Sequence, residues 1–334
     1  MPVARDSDPS SLFEEARTGS RVALARLLSM VERGGDPSRI VAGLAYKSPG
    51  AAYTVGITGA PGAGKSTLTD RLIVLARQQG LDGGGQVGVL AVDPSSPFSG
   101  GAILGDRVRM QSHALDDGVF IRSMATRGHL GGLSVAVPDA VRVLSAVGMP
   151  VVIVETVGVG QQEVEVAAAT DTTVVVVNPG WGDHIQANKA GLLEIADLFV
   201  INKADRPGAR ETRRDLEAML ELTPLDEDQW RPPIVETVAS TGDGVDDLWA
   251  AIGRHRLHQT ETGLLAAARR RRLLGEFDQL LVARVRQQIE DVLAADQFAD
   301  ITEAMVAGDL DPYEAVDRVL SAIAPDRHPP VRDA

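Results

Sequence analysis

The sequence predicts a doubly wound α/β fold on a mainly parallel sheet, with a helical N-terminal arm and a helical C-terminal region. Two observations carry this. Seven short runs rich in β-branched and apolar residues, at 53–58, 87–92, 119–124, 151–155, 172–177, 198–202 and 234–238, have helical stretches between most of them. Several of these runs are apolar without alternation, the pattern of strands covered on both faces. The reading divides the chain into an arm at 1–50, a sheet domain at 51–258 and a helical dimerisation region at 259–334.

The arm reads as short helices. Ser11-Leu12-Phe13-Glu14 has the spacing of a capping box. Leu24, Leu27, Leu28 and Val31 recur on one helical face. Gly34-Gly35 ends that helix, and Asp36-Pro37 starts the next with Pro37 at its first position. Such an arm packs on something larger. Beyond Arg254 the strands stop. Phe277, Leu281, Val285 and Ile289 line one side of a long helix, and Asp311-Pro312-Tyr313-Glu314 begins a last one carrying Val316, Leu320 and Ile323. The Phe277 face either forms a dimer interface or folds back on the chain's own sheet. The run Arg269–Arg272 points around its helix and reads as a solvated face or as inter-subunit ion pairs.

Composition limits the function. The chain has 334 residues, 44% hydrophobic, enough for one large α/β core with helical additions or for two domains. A net charge of -13 argues against general nucleic-acid binding. The absence of Cys excludes disulfides, thiolate metal sites and thiol catalysis. No apolar run reaches membrane-span length and the N-terminus has no apolar signal core, so the expectation is a cytoplasmic protein with no membrane partner.

The first chemical signal is Gly59-Ala60-Pro61-Gly62-Ala63-Gly64-Lys65-Ser66, followed by Thr67, between a predicted strand and a predicted helix. It fits the phosphate-binding pattern G-x-x-x-x-G-K-[ST] in full. The glycines let the backbone wrap a phosphate, and amide N–H groups and the helix N-terminus face the anion. Lys65 would reach the β- and γ-phosphates, and Ser66 would ligate Mg²⁺.

The second signal is Asn202-Lys203-Ala204-Asp205 at the end of a later strand. Its N-K-x-D pattern suits guanine. The Asp205 carboxylate accepts from N1–H and the 2-amino group, Asn202 braces the loop, and the Lys203 stem covers the base. Position and pattern together make this signal strong. Val238, Ala239 and Ser240 occupy the loop where a Ser-Ala pair is common. Val238 replaces the Ser, but an amide near Ala239 can still meet guanine O6.

These residues resemble P-loop GTPases with a Glu in the third nucleotide motif. Within that group the chain resembles the MeaB/ArgK family, relatives of the human methylmalonic aciduria type A protein. The stretches that carry the likeness are GAPGAGKST, AVDPSSPFSGGAILGDRVRM, FIRSMATRGHLGGL, ETVGVGQQE, NPGWGDHIQANKAG and NKAD. The resemblance implies a homodimeric GTPase using GTP/GDP and Mg²⁺. Its implied partner is adenosylcobalamin-dependent methylmalonyl-CoA mutase, whose cofactor loading it gates and which it protects from inactivation. The chain lacks the D-x-H-x-x-G cobalamin signature, so it is not expected to bind the corrin.

Glu155 ends a buried run where many nucleotide switches have Asp. It either holds Mg²⁺, directly or through water, or is a core-edge carboxylate with a structural hydrogen bond; Gly158, spaced to meet a γ-phosphate, favours the first. Asp93 and Asp106 are further candidates for the metal shell, and Mg²⁺ takes only one or two carboxylates directly. Asp106 is equally readable as a solvated loop charge or helix cap. Lys65, Glu155 and Asp106 are the catalytic candidates. Val159, after Gly158, cannot orient a water, so intrinsic hydrolysis should be slow until a partner or a moving loop completes the site. Lys189, in the loop with Trp181, Asp183 and Gln186, reads either as a nucleotide or partner contact or as a surface lysine.

Two other functions compete. A small-molecule kinase of the arginine/ornithine transport type needs an acceptor pocket and a base and usually takes ATP, which the N-K-x-D residues disfavour. A metal-insertion GTPase needs a soft or His-rich site, and this chain has six scattered His.

Overall fold

The computed structural model describes residues 8–81, 85–94, 111–113, 115–126, 136–156, 168–180, 194–222, 229–293 and 299–323. Its centre is a seven-stranded sheet with spatial order β3-β2-β4-β1-β5-β6-β7. The strands are β1 (Tyr53–Gly59), β2 (Val87–Pro94), β3 (Val119–Thr126), β4 (Val151–Thr156), β5 (Thr172–Val177), β6 (Leu198–Asn202) and β7 (Ile234–Thr237). Every neighbouring pair is parallel. The seven runs read from the sequence are these seven strands.

Strand periodicity sends successive side chains to opposite faces, and the two faces carry different helices. Val152 and Val154 of β4 join a core with the arm helices α1 (Pro9–Arg17), α2 (Arg21–Arg33) and α3 (Gly35–Lys47) and with α5 (Ala136–Ala146). Val175 and Val177 of β5 join α6 (Ala209–Glu221) on that same face. Their neighbours Val151, Ile153, Val174 and Val176 pack on the other face against α4 (Lys65–Gln78) and α7 (Val245–Glu261).

The arm thus completes one face of the sheet. Leu24, Leu27, Leu28 and Val31 are all buried, each worth about 1.5–3 kcal/mol against exposure. Polar ties add to this packing. Arg21 donates to the carbonyls of Asp116 and Val119 at 2.8 and 2.6 Å, and Arg122 of β3 donates to Glu32 at 2.7 Å.

Two helix starts differ from the sequence reading. Asp8, not Ser11, caps α1: its Oδ2 accepts from the Ser11 N–H at 3.2 Å, which puts Ser11 inside the helix. Helix α3 begins at Gly35, so Pro37 is its third residue. There Pro37 still lies in the first turn, where its missing N–H leaves no helical hydrogen bond unmade.

The N-terminal ends of the central strands hold a buried polar cluster. Tyr53 Oη lies 2.5 Å from Thr172 Oγ1, which lies 2.8 Å from His255 Nδ1 on α7. Gln259 donates to the Asp171 carbonyl at 2.9 Å, and the Trp230 ring lies tilted at 44° against His255 with centroids 4.7 Å apart.

The chain divides into two compact units, Met1–Ala268 and Arg269–Ala334. The second contains most of α8 (Leu264–Leu293), with α9 (Ala299–Ala307) and α10 (Pro312–Ile323). Asp311 caps α10 by accepting from the N–H groups of Tyr313 and Glu314. Phe277, Leu281 and Val285 of α8 are exposed. Among the described residues no helix is long and apolar enough to cross a membrane.

Candidate nucleotide site

Parallel strands bring their C-terminal ends to one edge, where the end of β4 meets the loops that leave β1, β6 and β7. Gly59, Gly62 and Gly64 have φ of 131°, 74° and 94°, a region L side chains rarely occupy. Two of them are also sterically fixed. A Cβ on Gly59 would strike the Val176 carbonyl, and one on Gly64 would strike Asn202 Nδ2. The turn delivers Lys65 and Ser66 to the first turn of α4. Both are buried, and the Lys65 ammonium donates to the carbonyls of Gly59 at 2.7 Å and Ala60 at 3.0 Å.

Glu155 stands on β4 beside Ile57 of β1 and Ala91 of β2. It is 2% exposed, and its Oε1 accepts from Ser66 Oγ at 2.6 Å. Two residues 89 positions apart in the chain, both read as metal ligands, are in direct contact. A hydroxyl and a carboxylate are hard oxygen donors of the kind Mg²⁺ takes.

Asn202 ties three loops together. Its Nδ2 donates to the Ala63 carbonyl at 2.8 Å, and its Oδ1 accepts from Thr237 Oγ1 at 3.2 Å and from the Ala239 N–H at 3.1 Å. Lys203, with φ of 60°, reaches back to donate to the Gly62 carbonyl at 2.6 Å, so its stem spans from β6 to the glycine-rich turn. Asp205 is exposed beyond it. Val238 bridges to Asp243 and closes a tight turn around Ala239 and Ser240. Arg71 of α4 holds that turn from outside, donating to the carbonyls of Ala239 at 3.1 Å and Ser240 at 2.8 Å.

The structure therefore gathers Gly59 to Thr67, Glu155, Asn202 to Asp205 and Val238 to Ser240 at one edge. Asp93 falls at the C-terminal end of β2, in register with Ala125 of β3; its side chain lies outside the described residues. Asp106, Val159, residues 161–163 and the loop with Lys189 also lie outside them. Arg71 and Thr237 were missed by sequence reading. Thr237 ends β7 just before the marked loop, while Arg71 belongs to no motif.

A family model described as methylmalonyl Co-A mutase-associated GTPase MeaB matches residues 24–294. The chain belongs to the MeaB family. A GTPase-named protein of Pyrococcus horikoshii is 50% identical over 93% of this chain and 97% of its own length. The GTPase ArgK of Escherichia coli is 37% identical over 85% of this chain and 84% of its own. The mouse mitochondrial methylmalonic aciduria type A homolog is 33% identical over 81% of this chain and 65% of its own. Among solved structures, an LAO/AO transport system kinase aligns with a TM-score of 0.68 at 25% identity, covering 96% of this chain and 99% of that one. A MeaB-family GTPase with the glycine-rich turn, Ser66–Glu155 and Asn202–Asp205 on one sheet edge is the ground on which its function is read.

Proposed function

We propose that this MeaB-family protein binds GTP and GDP with Mg²⁺ at the C-terminal sheet edge and hydrolyses GTP as an accessory protein of adenosylcobalamin-dependent methylmalonyl-CoA mutase. The observation that carries the guanine reading is the Asn202 junction. One side chain fixes the glycine-rich turn, the loop of Asp205 and the turn of Ala239 against each other, so the distance from phosphate to base is set before a nucleotide arrives. Preorganisation of this kind lowers the entropic cost of binding.

Lys65 would exchange the Gly59 and Ala60 carbonyls for the β- and γ-phosphate oxygens. Ser66 and Glu155 would hold Mg²⁺, which neutralises charge on the phosphates when bound. Asp205 would pair with guanine N1–H and the 2-amino group. The mutase partnership is supported by the family description and by the mouse relative's name. Val159 supports slow turnover by the isolated protein, with the partner supplying what a water-orienting side chain would. The transport-kinase name of the aligned structure favours a second reading, phosphoryl transfer from ATP to a small acceptor. Asn202-Lys203-Ala204-Asp205 argues against it, because Asp205 has two donors to meet on guanine and adenine does not present them together.

Equilibrium titration with GDP, ADP and XDP separates the readings. The intact chain should prefer GDP to ADP strongly. Asp205→Asn should weaken GDP, by about 1–3 kcal/mol for each polar group left unpaired, and admit XDP, whose 2-oxo group can accept from the Asn amide. Equal affinity of the intact chain for GDP and ADP defeats the guanine reading and revives the kinase.

A further inference from the structure

Arg71 holds the Ala239 turn from another element, α4, and no nucleotide motif marks it. Its Nε and Nη2 donate to two successive carbonyls, those of Ala239 and Ser240. These peptides are trans, and a trans peptide points its N–H opposite its C=O. Holding the Ala239 carbonyl toward α4 therefore turns the Ser240 N–H to the far side of the loop.

Four other amides of the turn are engaged. The Val238 N–H donates to the Asp243 carbonyl, the Ala239 N–H to Asn202 Oδ1, and the Thr241 and Gly242 N–H groups to the Val238 carbonyl. From Val238 to Gly242, the Ser240 N–H is the one with no hydrogen-bond partner among the described residues. The sequence pattern pointed to an amide near Ala239; the hydrogen bonds leave Ser240 as the donor in reserve.

We propose that Arg71 is a positioning residue for base recognition: by fixing the Ala239 and Ser240 carbonyls it aims the Ser240 N–H at O6 of the bound guanine. The inference rests on the guanine reading above and places a second determinant of base selectivity on α4. Arginine suits the task because its planar fork meets two acceptors at once, whereas lysine is a point donor.

The test titrates the full chain, Arg71→Ala and Arg71→Lys with GDP, IDP and 6-thio-GDP. IDP lacks the 2-amino group and reports on Asp205. In 6-thio-GDP a sulfur, a weaker acceptor, replaces O6 and reports on the turn. The parent should prefer GDP to both analogues. Arg71→Ala should lose about tenfold in GDP affinity, the scale of one well-placed hydrogen bond. Its GDP/6-thio-GDP preference should fall toward unity while its GDP/IDP preference keeps the parent value, with Arg71→Lys between.

Three results overturn the proposal. Both preferences falling together marks a general loosening of the base site. Both staying at parent values means Arg71 does not act on recognition. A parent that cannot tell GDP from 6-thio-GDP has no amide reading O6, and this leaves the role of Asp205 intact. Failure of the guanine reading itself shows separately, as equal GDP and ADP affinity in the parent, and removes this proposal with it.

Discussion

Glu155 is the residue on which the chemistry turns. Asp is one methylene shorter, and the longer side chain here meets Ser66 Oγ at 2.6 Å from the end of β4. If the carboxylate's charge serves Mg²⁺, Glu155→Gln should keep the size and an acceptor for Ser66 but lose the metal. GTP turnover at limiting Mg²⁺ should drop by about 10²-fold or more, the usual scale for one electrostatic contact to a transition state, while metal-free GDP binding changes little. Normal turnover by Glu155→Gln at limiting Mg²⁺ would make it a structural core-edge carboxylate. Side chains like Lys65 and Asn202 were legible because a short local pattern ties residue type to chemistry. Arg71 was not, because its partners lie 168 and 169 positions away and nothing near it in the chain requires an arginine. The Ser66–Glu155 contact was readable only as two metal ligands, since their pairing depends on the register of β4 beside β1.

At the scale of elements, the strands were legible because a sheet covered on both faces demands unbroken apolar runs, and Val151 to Val154 and Val174 to Val177 are short and wholly β-branched, which favours strand over buried helix. Helix starts were less so. Asp8 and Ser11 are both good caps, and which one the chain uses depends on where α1 must point Leu12 and Phe13 into the core. The docking of α7 was also not legible, although it has a pH signature. His255 is buried against Thr172 and Trp230, with Asp197 Oδ1 3.4 Å from its Nε2. Burial lowers its pKa to about 4; the charge on nearby His258 acts in the same direction and Asp171 opposes it. The unfolded chain protonates this histidine near pH 6.5 and the folded chain does not until about pH 4. Between those values the unfolded state binds more protons, so stability falls as pH drops, by at most about 3 kcal/mol from this group. Denaturant unfolding at pH 7 and pH 4.5 should show His255→Asn losing less stability across that interval than the parent. An equal loss in both would mean His255 titrates alike in the two states.

For the whole molecule, an exposed apolar face and a proposed partner extend the account beyond the nucleotide site. Phe277 and Leu281, 63% and 49% exposed, share a face of α8 with Val285, and we expect this face to close a homodimer. Phe277→Asp with Leu281→Asp should give a monomer by light scattering, with GDP affinity retained; a persistent dimer would place the interface elsewhere. The sequence showed this apolar face but not what covers it, because one chain's pattern does not name a second chain. The proposed partnership with the mutase is constrained by thermodynamics. If the nucleotide state gates the mutase, the mutase must change nucleotide affinity by the same factor, commonly about 5–150-fold. The most direct measurement is therefore a pair of titrations: the cognate mutase into this protein loaded with GDP or with a non-hydrolysable GTP analogue, and each nucleotide into the protein with and without mutase. The account predicts tighter mutase binding in the triphosphate state and an equal shift in the relative affinities for the analogue and GDP. Mutase binding that is absent, or identical in the two nucleotide states, would contradict it.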